Sequence, residues 1–379
     1  MFGDVYRGKH VLITGHTGFK GSWLALWLRQ LGANIIGYSL DPPTTPNHFD
    51  LLIHHSITPL LQPSNPLTLQ SVIGDIRDPN KLVETFQTYK PEIVFHMAAQ
   101  PLVRYSYKDP VETFETNVMG TINVLEACRQ TESVKVVINI TSDKCYENKE
   151  WVWGYRESDP MGGYDPYSAS KGCAELVTNS YRRSFFSSSL LLASARAGNV
   201  IGGGDWAADR LIPDIMRAVS RNERVVIRNP KSTRPWQHVL EPLSGYLALG
   251  QRLLEEKSEF AEGWNFGPDD ESNIDVETVV KKMKEYWNKI DYSISQSSNP
   301  PTLQPSNFHE AGLLKLDCSK AHSKLNWKPV WDIKKTLAIT AQWYKEFYEN
   351  DRIMSQRDLE SYITDARAKR LAWASPPEQ

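Results

Sequence analysis

Along the first half of the chain, unbroken apolar runs alternate with stretches whose apolar residues return every three or four positions. The runs are "HVLITG" (10–15), "ANIIGYSL" (33–40), "EIVFHMAA" (92–99), "VKVVINITS" (134–142) and "LLLASARAGNVIG" (190–202). Between them the spacing predicts helices over 19–31, near 110–130 and over 167–185, with Gly32 as a left-handed stop for the first. Continuous Val/Ile/Leu strands separated by helices are buried on both faces, which is the pattern of a parallel sheet. The expected fold class is therefore α/β, a Rossmann-type doubly wound domain. Past residue 196 the pattern loosens into Gly-, Pro- and Trp-rich segments, with helices expected at 209–221, 241–256, 275–289 and 333–349 and a helical tail to near 371. We expect an NAD-binding domain over 1–195 and a smaller mixed α/β substrate lobe over 196–379, with some elements interleaved.

Two Pro/Ser/Asn-rich stretches, 61–70 and 297–307, share the words "LQPSN" and "TLQ". Neither can bury much, so both are expected as exposed loop insertions without a site. The i,i+4 pair Trp23 and Trp27 is expected in the core, and His54–His55 in a loop with no metal-ligand spacing around it.

Composition narrows the partners. A net charge of -2 lacks the basic surplus of a nucleic-acid binder. No apolar run approaches a membrane span. The four cysteines, at 128, 145, 173 and 318, form no CxxC pair and read as reduced thiols of a cytoplasmic protein.

Candidate chemistry begins between the first strand and helix, at "TGHTGFKG". Gly15, Gly18 and Gly21 allow a tight turn, close approach of backbone to phosphate, and close helix-to-strand packing, while the helix N-terminus offers free N–H groups to a pyrophosphate. Asp41, twenty residues past Gly21 at the end of the second strand, would accept bonds from an adenosine ribose and repel a 2′-phosphate, so NAD is favoured over NADP. His16 either reaches the phosphates or merely fills the turn. Asp75, in "GDIRD", either holds the adenine amino group or is an ordinary loop acid. Further on, Tyr167 and Lys171 stand four apart at a helix start, which stacks them on one face. An ammonium and a nicotinamide charge near the phenol would let tyrosinate accept an alcohol proton. Upstream, "NITSDKCYEN" places Asp143 against Lys144, either as a solvated pair or as an acid and a base beside a reaction.

Taken together, "TGHTGFKG", "HMAAQ", "TSDKCY" with "YSASK", and "RAGNVIGGGDW" resemble the extended short-chain dehydrogenase/reductase superfamily, and within it the sugar-nucleotide 4,6-dehydratases. The likeness runs over about residues 8–350. It implies that Thr17, Phe19, Ile76, Ala98, Ala99 and Gln100 join the glycines, Asp41 and Asp75 around NAD, which takes a hydride from the sugar C4 and returns it to C6. It implies that Tyr167, with Lys171, removes the C4 hydroxyl proton, that Ser142 bonds the C4 oxygen, and that Asp143 protonates the departing C6 hydroxyl. Lys144 stands where a carboxylate base is more usual. Either a neutral Lys144 takes the C5 proton, the reading preferred here, or a charged one steadies the enolate; the first needs its pKa lowered by roughly 2–3 units from about 10.4. The resemblance also implies that Asn199 and Arg234 bind the diphosphate, that Leu211 packs on the nucleobase, and that the substrate is CDP-glucose or a related nucleotide sugar on a route to deoxysugars of surface polysaccharide. A homodimer or larger homo-oligomer is implied as well. A 4-epimerase would keep Tyr167 and Lys171 without needing the acid, and a silent NAD-binding regulator would need no chemistry at all.

Overall fold

The computed structural model describes residues 1–54, 69–186, 189–227, 229–295 and 313–375. Six parallel strands, β1 (His10–Thr14), β2 (Asn34–Ser39), β3 (Leu69–Ile73), β4 (Ile93–His96), β5 (Val136–Ile140) and β6 (Leu191–Ala197), are joined by a seventh, Gly263–Phe266. Their spatial order is β3-β2-β1-β4-β5-β6 followed by Gly263–Phe266. From β1 the chain winds outward through β2 and β3, then restarts on the other side with β4. That reversal opens a crevice beyond the carboxyl ends of β1 and β4, where open α/β sheets bind ligands.

The apolar runs are continuous because each strand feeds two cores. Val11, Ile13, Phe95 and Ile138 point into one apolar cluster, while Leu12, Val94 and Val137 point into another on the opposite face. Each such side chain contributes roughly 1.5–3 kcal/mol when fully buried, so the polar residues that these strands do bury, such as Asn139 and Ser194, are hydrogen-bonded. On the first face lie the helix Phe19–Gln30, with Trp23 and Trp27 wholly buried, and the helix Leu240–Leu254. Gly32 follows the first of these at φ +79°, as its stop signal requires.

Three features depart from the sequence pattern. Leu69 and Gln70, expected in a loop insertion, begin the edge strand β3, in which Leu69 is the buried residue; a strand with one neighbour needs little apolar content. The rest of that insertion from 61, and the stretch 297–307, lie outside the described residues. The helical stretch near 110–130 is not one helix but Pro110–Phe114, a π-turn at Glu115–Met119, and Gly120–Arg129. His54, expected in a loop, ends the helix His48–His54.

The second lobe has its own core, built from Trp206, Ile212, Met216, Trp236, Val280, Trp287, Leu337 and Trp343 among others. It is not a continuous stretch of chain, since residues 240–266 return to the first sheet. Among the described residues no helix is long and apolar enough to cross a membrane, and all four thiols are free.

Candidate active site

The crevice is a cleft of about 930 Å³ between the sheet's carboxyl edge and the second lobe. Its first wall is the glycine loop. Gly15 sits at φ +77°, and a Cβ there would lie 2.9 Å from the Ala98 backbone; one on Gly21 would lie 2.1 Å from the Gly15 carbonyl. Gly18 is the N-cap of the helix Phe19–Gln30 and supplies no side-chain cap, which leaves the first N–H groups for a ligand. Thr17 Oγ1 donates to the Leu40 carbonyl (2.9 Å) and shares a 2.7 Å bond with Ser39. This pins the loop to the end of β2, beyond which the exposed Asp41 lines the cleft. Such a bare-backbone cradle beside an acid fits a dinucleotide pyrophosphate and ribose.

His16 is turned away from that cradle. Its ring lies under the sheet against Gly37, where a Cβ would be 2.3 Å away, with Nε2 bonded to Ser71 Oγ at 2.8 Å. Burial pushes its pKa down to about 4, so it brings no cation to a phosphate. Of the two alternatives for His16, the structure has the filler.

Asp75 and Ile76 line the next stretch of the cleft. Asp75 accepts from Arg77 through Nε (2.9 Å), Nη2 (2.7 Å) and the backbone N–H (2.8 Å). Burial raises the carboxyl, but the Arg77 bonds outweigh it and hold the pKa below its ordinary value. Ile76 is buried and fills the space beside Gly120. Ala98, Ala99 and Gln100 follow β4 along the cleft floor. Thr14 Oγ1 accepts from Ala98 N–H at 3.1 Å, and Asn117 Oδ1 accepts from Gln100 N–H at 2.8 Å.

At the far side of the floor, β5 ends and Ser142 caps a single 3₁₀ turn, Asp143–Cys145. Ser142 Oγ donates to Asp143 Oδ1 at 2.9 Å and accepts from the Lys144 N–H at 3.2 Å. Asp143 is buried, and its other oxygen faces Gly198 so closely that a Cβ there would be 2.9 Å away. Lys144 is half-buried and lines the cleft, and no ion pair joins it to Asp143 among the described residues. The neighbouring charges are therefore not a solvated pair with each other: the acid is held under the cleft and the amine at its surface.

The opposing helix, Pro166–Ser184, starts where Asp165 caps Ser168 N–H at 2.9 Å and Pro166 fills the first turn. Tyr167 and Lys171 face the cleft one turn apart. Burial raises the Tyr167 phenol to about 12, against the pull of the Ser142 hydroxyl and, more weakly, of Arg210. Burial lowers Lys171 to about 8, with Cys145 and Glu175 opposing.

On the second-lobe side, Asn199, Leu211 and Arg234 all line the cleft. Leu211 opens the helix Leu211–Ser220, and Arg234 sits on a short strand paired antiparallel with Asn273–Asp275. Several further charged and polar residues lie in or beside the cleft. Lys20, enclosed in the cleft, is lowered to about 8, first by burial and then by the cations of Arg210 and Lys171. Arg210 bonds Asp205 at 2.9 Å, and Arg104 reaches Asp209 across the cleft at 3.7 Å. Asn117, in the π-turn, bonds Ser170 at 2.9 Å and so ties the Gln100 loop to the Tyr167 helix. Its one signal was a polar residue inside an otherwise amphipathic helical stretch. Lys20, Lys171 and Arg210 together suit a cleft for anionic diphosphates.

The arrangement can bind a dinucleotide, hold a second phosphorylated ligand against it, and bring a phenol, a carboxylate and an amine to one place. The chain is similar to several known proteins. Over 369 residues, 95% of this chain and 98% of the relative, the sequence is 53% identical to CDP-glucose 4,6-dehydratase of Salmonella typhimurium. Among solved structures, the epimerase Mth375 of Methanothermobacter thermautotrophicus superposes with a TM-score of 0.74 at 22% identity, covering 94% of this chain and 96% of that one. MoeE5 in complex with UDP-glucose and NAD superposes with a TM-score of 0.71 at 24% identity, covering 89% and 99%. Residues 12–340 match the GDP-mannose 4,6 dehydratase family, and to that family the chain belongs.

Proposed function

We propose that this protein is an NAD-dependent CDP-glucose 4,6-dehydratase, a hydro-lyase that forms CDP-4-dehydro-6-deoxy-glucose and water. The observation that carries the reading is Ser142: one hydroxyl donates to the carboxylate of Asp143 and flanks the phenol of Tyr167. The group for the C4 proton and the group for the C6 hydroxyl thus share one cleft floor. An epimerase has no need of the second. NAD, held by the glycine loop, Asp41, Asp75 and the 98–100 segment, supplies the acceptance and return of a hydride. Tyr167 removes the C4 hydroxyl proton, Lys144 takes the C5 proton acidified by the new ketone, and Asp143, once it has taken a proton from solvent, passes that proton to the C6 oxygen as water leaves. Asn199, Arg234 and Arg210 hold the diphosphate, and Leu211 packs on the base. The choice of cytidine rests on the 53% identical relative.

Incubation with CDP-, dTDP- and GDP-sugars in deuterated water tests this. The expected result is a 4-keto product from CDP-glucose, carrying solvent deuterium at C5. An epimerised sugar without deuterium would mean a 4-epimerase, and cofactor binding without turnover a regulator.

We further propose a homodimer in the cytoplasm. The adjoining helices Pro110–Phe114 and Pro166–Ser184 expose Val111 (66%) and Leu176 (59%), apolar side chains that a second copy of the chain would cover. The double variant Val111→Glu, Leu176→Glu should sediment as a monomer where the native chain is a dimer. Free thiols throughout fit a reducing compartment.

A further inference from the structure

Beneath the catalytic turn lies a buried ion pair that the proposed chemistry does not use. Glu175 follows Tyr167 and Lys171 at i+8 and i+4, on the same helix face. Its carboxylate takes Arg196 of β6 in a two-pronged bond, Nε at 2.9 Å and Nη2 at 2.8 Å. Both side chains are nearly inaccessible, at 4% and 6%. Glu175 also accepts from Thr141 Oγ1 and, at 2.7 Å, from Ser194 Oγ. Arg196 Nη1 donates to Tyr146 Oη at 2.6 Å and to the Glu157 carbonyl at 3.1 Å. Tyr146 in turn donates to Asn265 Oδ1 at 2.7 Å.

The bonds have a direction. Thr141 and Tyr146 bracket the turn that carries Ser142, Asp143 and Lys144, and both are tied to the one ion pair. The acid of the pair, Glu175, belongs to the helix of Tyr167 and Lys171. Oxidation at C4 belongs to the helix and loss of water to the turn, so the pair is the joint between the two halves of the reaction. A solvated contact could not do this, whereas a buried, fully bonded pair is rigid, and loss of one partner strands the other.

We infer that Glu175 and Arg196 are positioning residues that keep the elimination turn in register with the oxidation helix, and that Tyr146 transmits their hold to the turn. This role presupposes the dehydratase activity. Tyr146→Phe removes one oxygen and leaves the ion pair whole, so it tests the link with little risk to folding. Misplacement by about an ångström costs on the order of a hundredfold. In single turnovers of CDP-glucose, Tyr146→Phe should leave C4 oxidation within about threefold of native while water loss slows by about ten- to a hundredfold. Quenched samples would then hold the 4-keto sugar with its C6 hydroxyl still in place, at an unchanged KM. Arg196→Lys, which keeps the charge and loses the fork, should show the same split more strongly. Equal slowing of both steps, or no change in either, would overturn the joint. The native enzyme run alongside keeps the two questions apart: no keto sugar from it strikes the dehydratase reading, whereas native turnover with an unsplit Tyr146→Phe strikes only the joint.

Discussion

Tyr167→Phe is expected to lower kcat/KM for CDP-glucose by about a thousandfold, the middle of the range that one general base supplies. It should slow deuterium uptake at C5 by the same factor, because the C5 proton becomes acidic only after C4 is a ketone. The phenol is buried and raised to about 12, so without help it holds its proton at neutral pH. Burial is the larger influence; the Ser142 hydroxyl and the Arg210 cation oppose it, and Asp143 reinforces it. These signs make the pH dependence checkable. The base form grows as pH rises toward the phenol's pKa, so C4 oxidation should quicken with pH in the native enzyme. Arg210→Gln removes a cation that stabilises the tyrosinate, and should move that profile to higher pH. The measurement is the rate of C4 oxidation in single turnovers across pH, with thermal melting as a check that Tyr167→Phe stays folded. A Tyr167→Phe enzyme that still exchanges C5 deuterium at the native rate would remove the phenol from the reaction.

The central sheet was legible because its strands are buried on both faces: a run such as "VVINI" can hardly be anything but an interior strand. Its edge was not. β3 packs against one neighbour and reads "LQSVI", a polar word beside a Pro-rich insertion. The glycine loop and the Tyr167–Lys171 pair were legible because backbone conformation and helical spacing leave fixed signatures. The cations that face the cleft were harder. Arg104, Arg210 and Lys20 come from three separate elements, and only the folded chain brings them round one space. His16 was open in the sequence and only the folded chain decides it. It sits inside the motif, yet its ring lies beneath the sheet, bonded to Ser71. The buried Glu175–Arg196 pair was hidden because nothing about a glutamate on an amphipathic helix distinguishes an exposed position from one facing a strand's arginine.

Asp143→Asn separates elimination from everything before it. Asparagine has the same shape, so it fits beside Gly198, and its amide oxygen still accepts from Ser142. It replaces a buried carboxylate by a neutral group, which lightens the desolvation burden, so the melting temperature should not fall. What it cannot do is take up a proton and hand it on to the C6 oxygen. Water loss should therefore slow by about a thousandfold, while C4 oxidation proceeds. The phenol even gains, since the Asp143 charge raises its pKa; with that charge gone, the oxidation profile should move to lower pH. Deuterium should still enter at C5, because Lys144 remains, and quenched samples should contain a C5-labelled 4-keto sugar that retains its C6 hydroxyl. Lys144→Gln should do the reverse and give an unlabelled ketone. Final product formed by Asp143→Asn at the native rate would mean that the C6 proton comes from elsewhere, and that the carboxylate beneath the cleft serves only to orient Ser142.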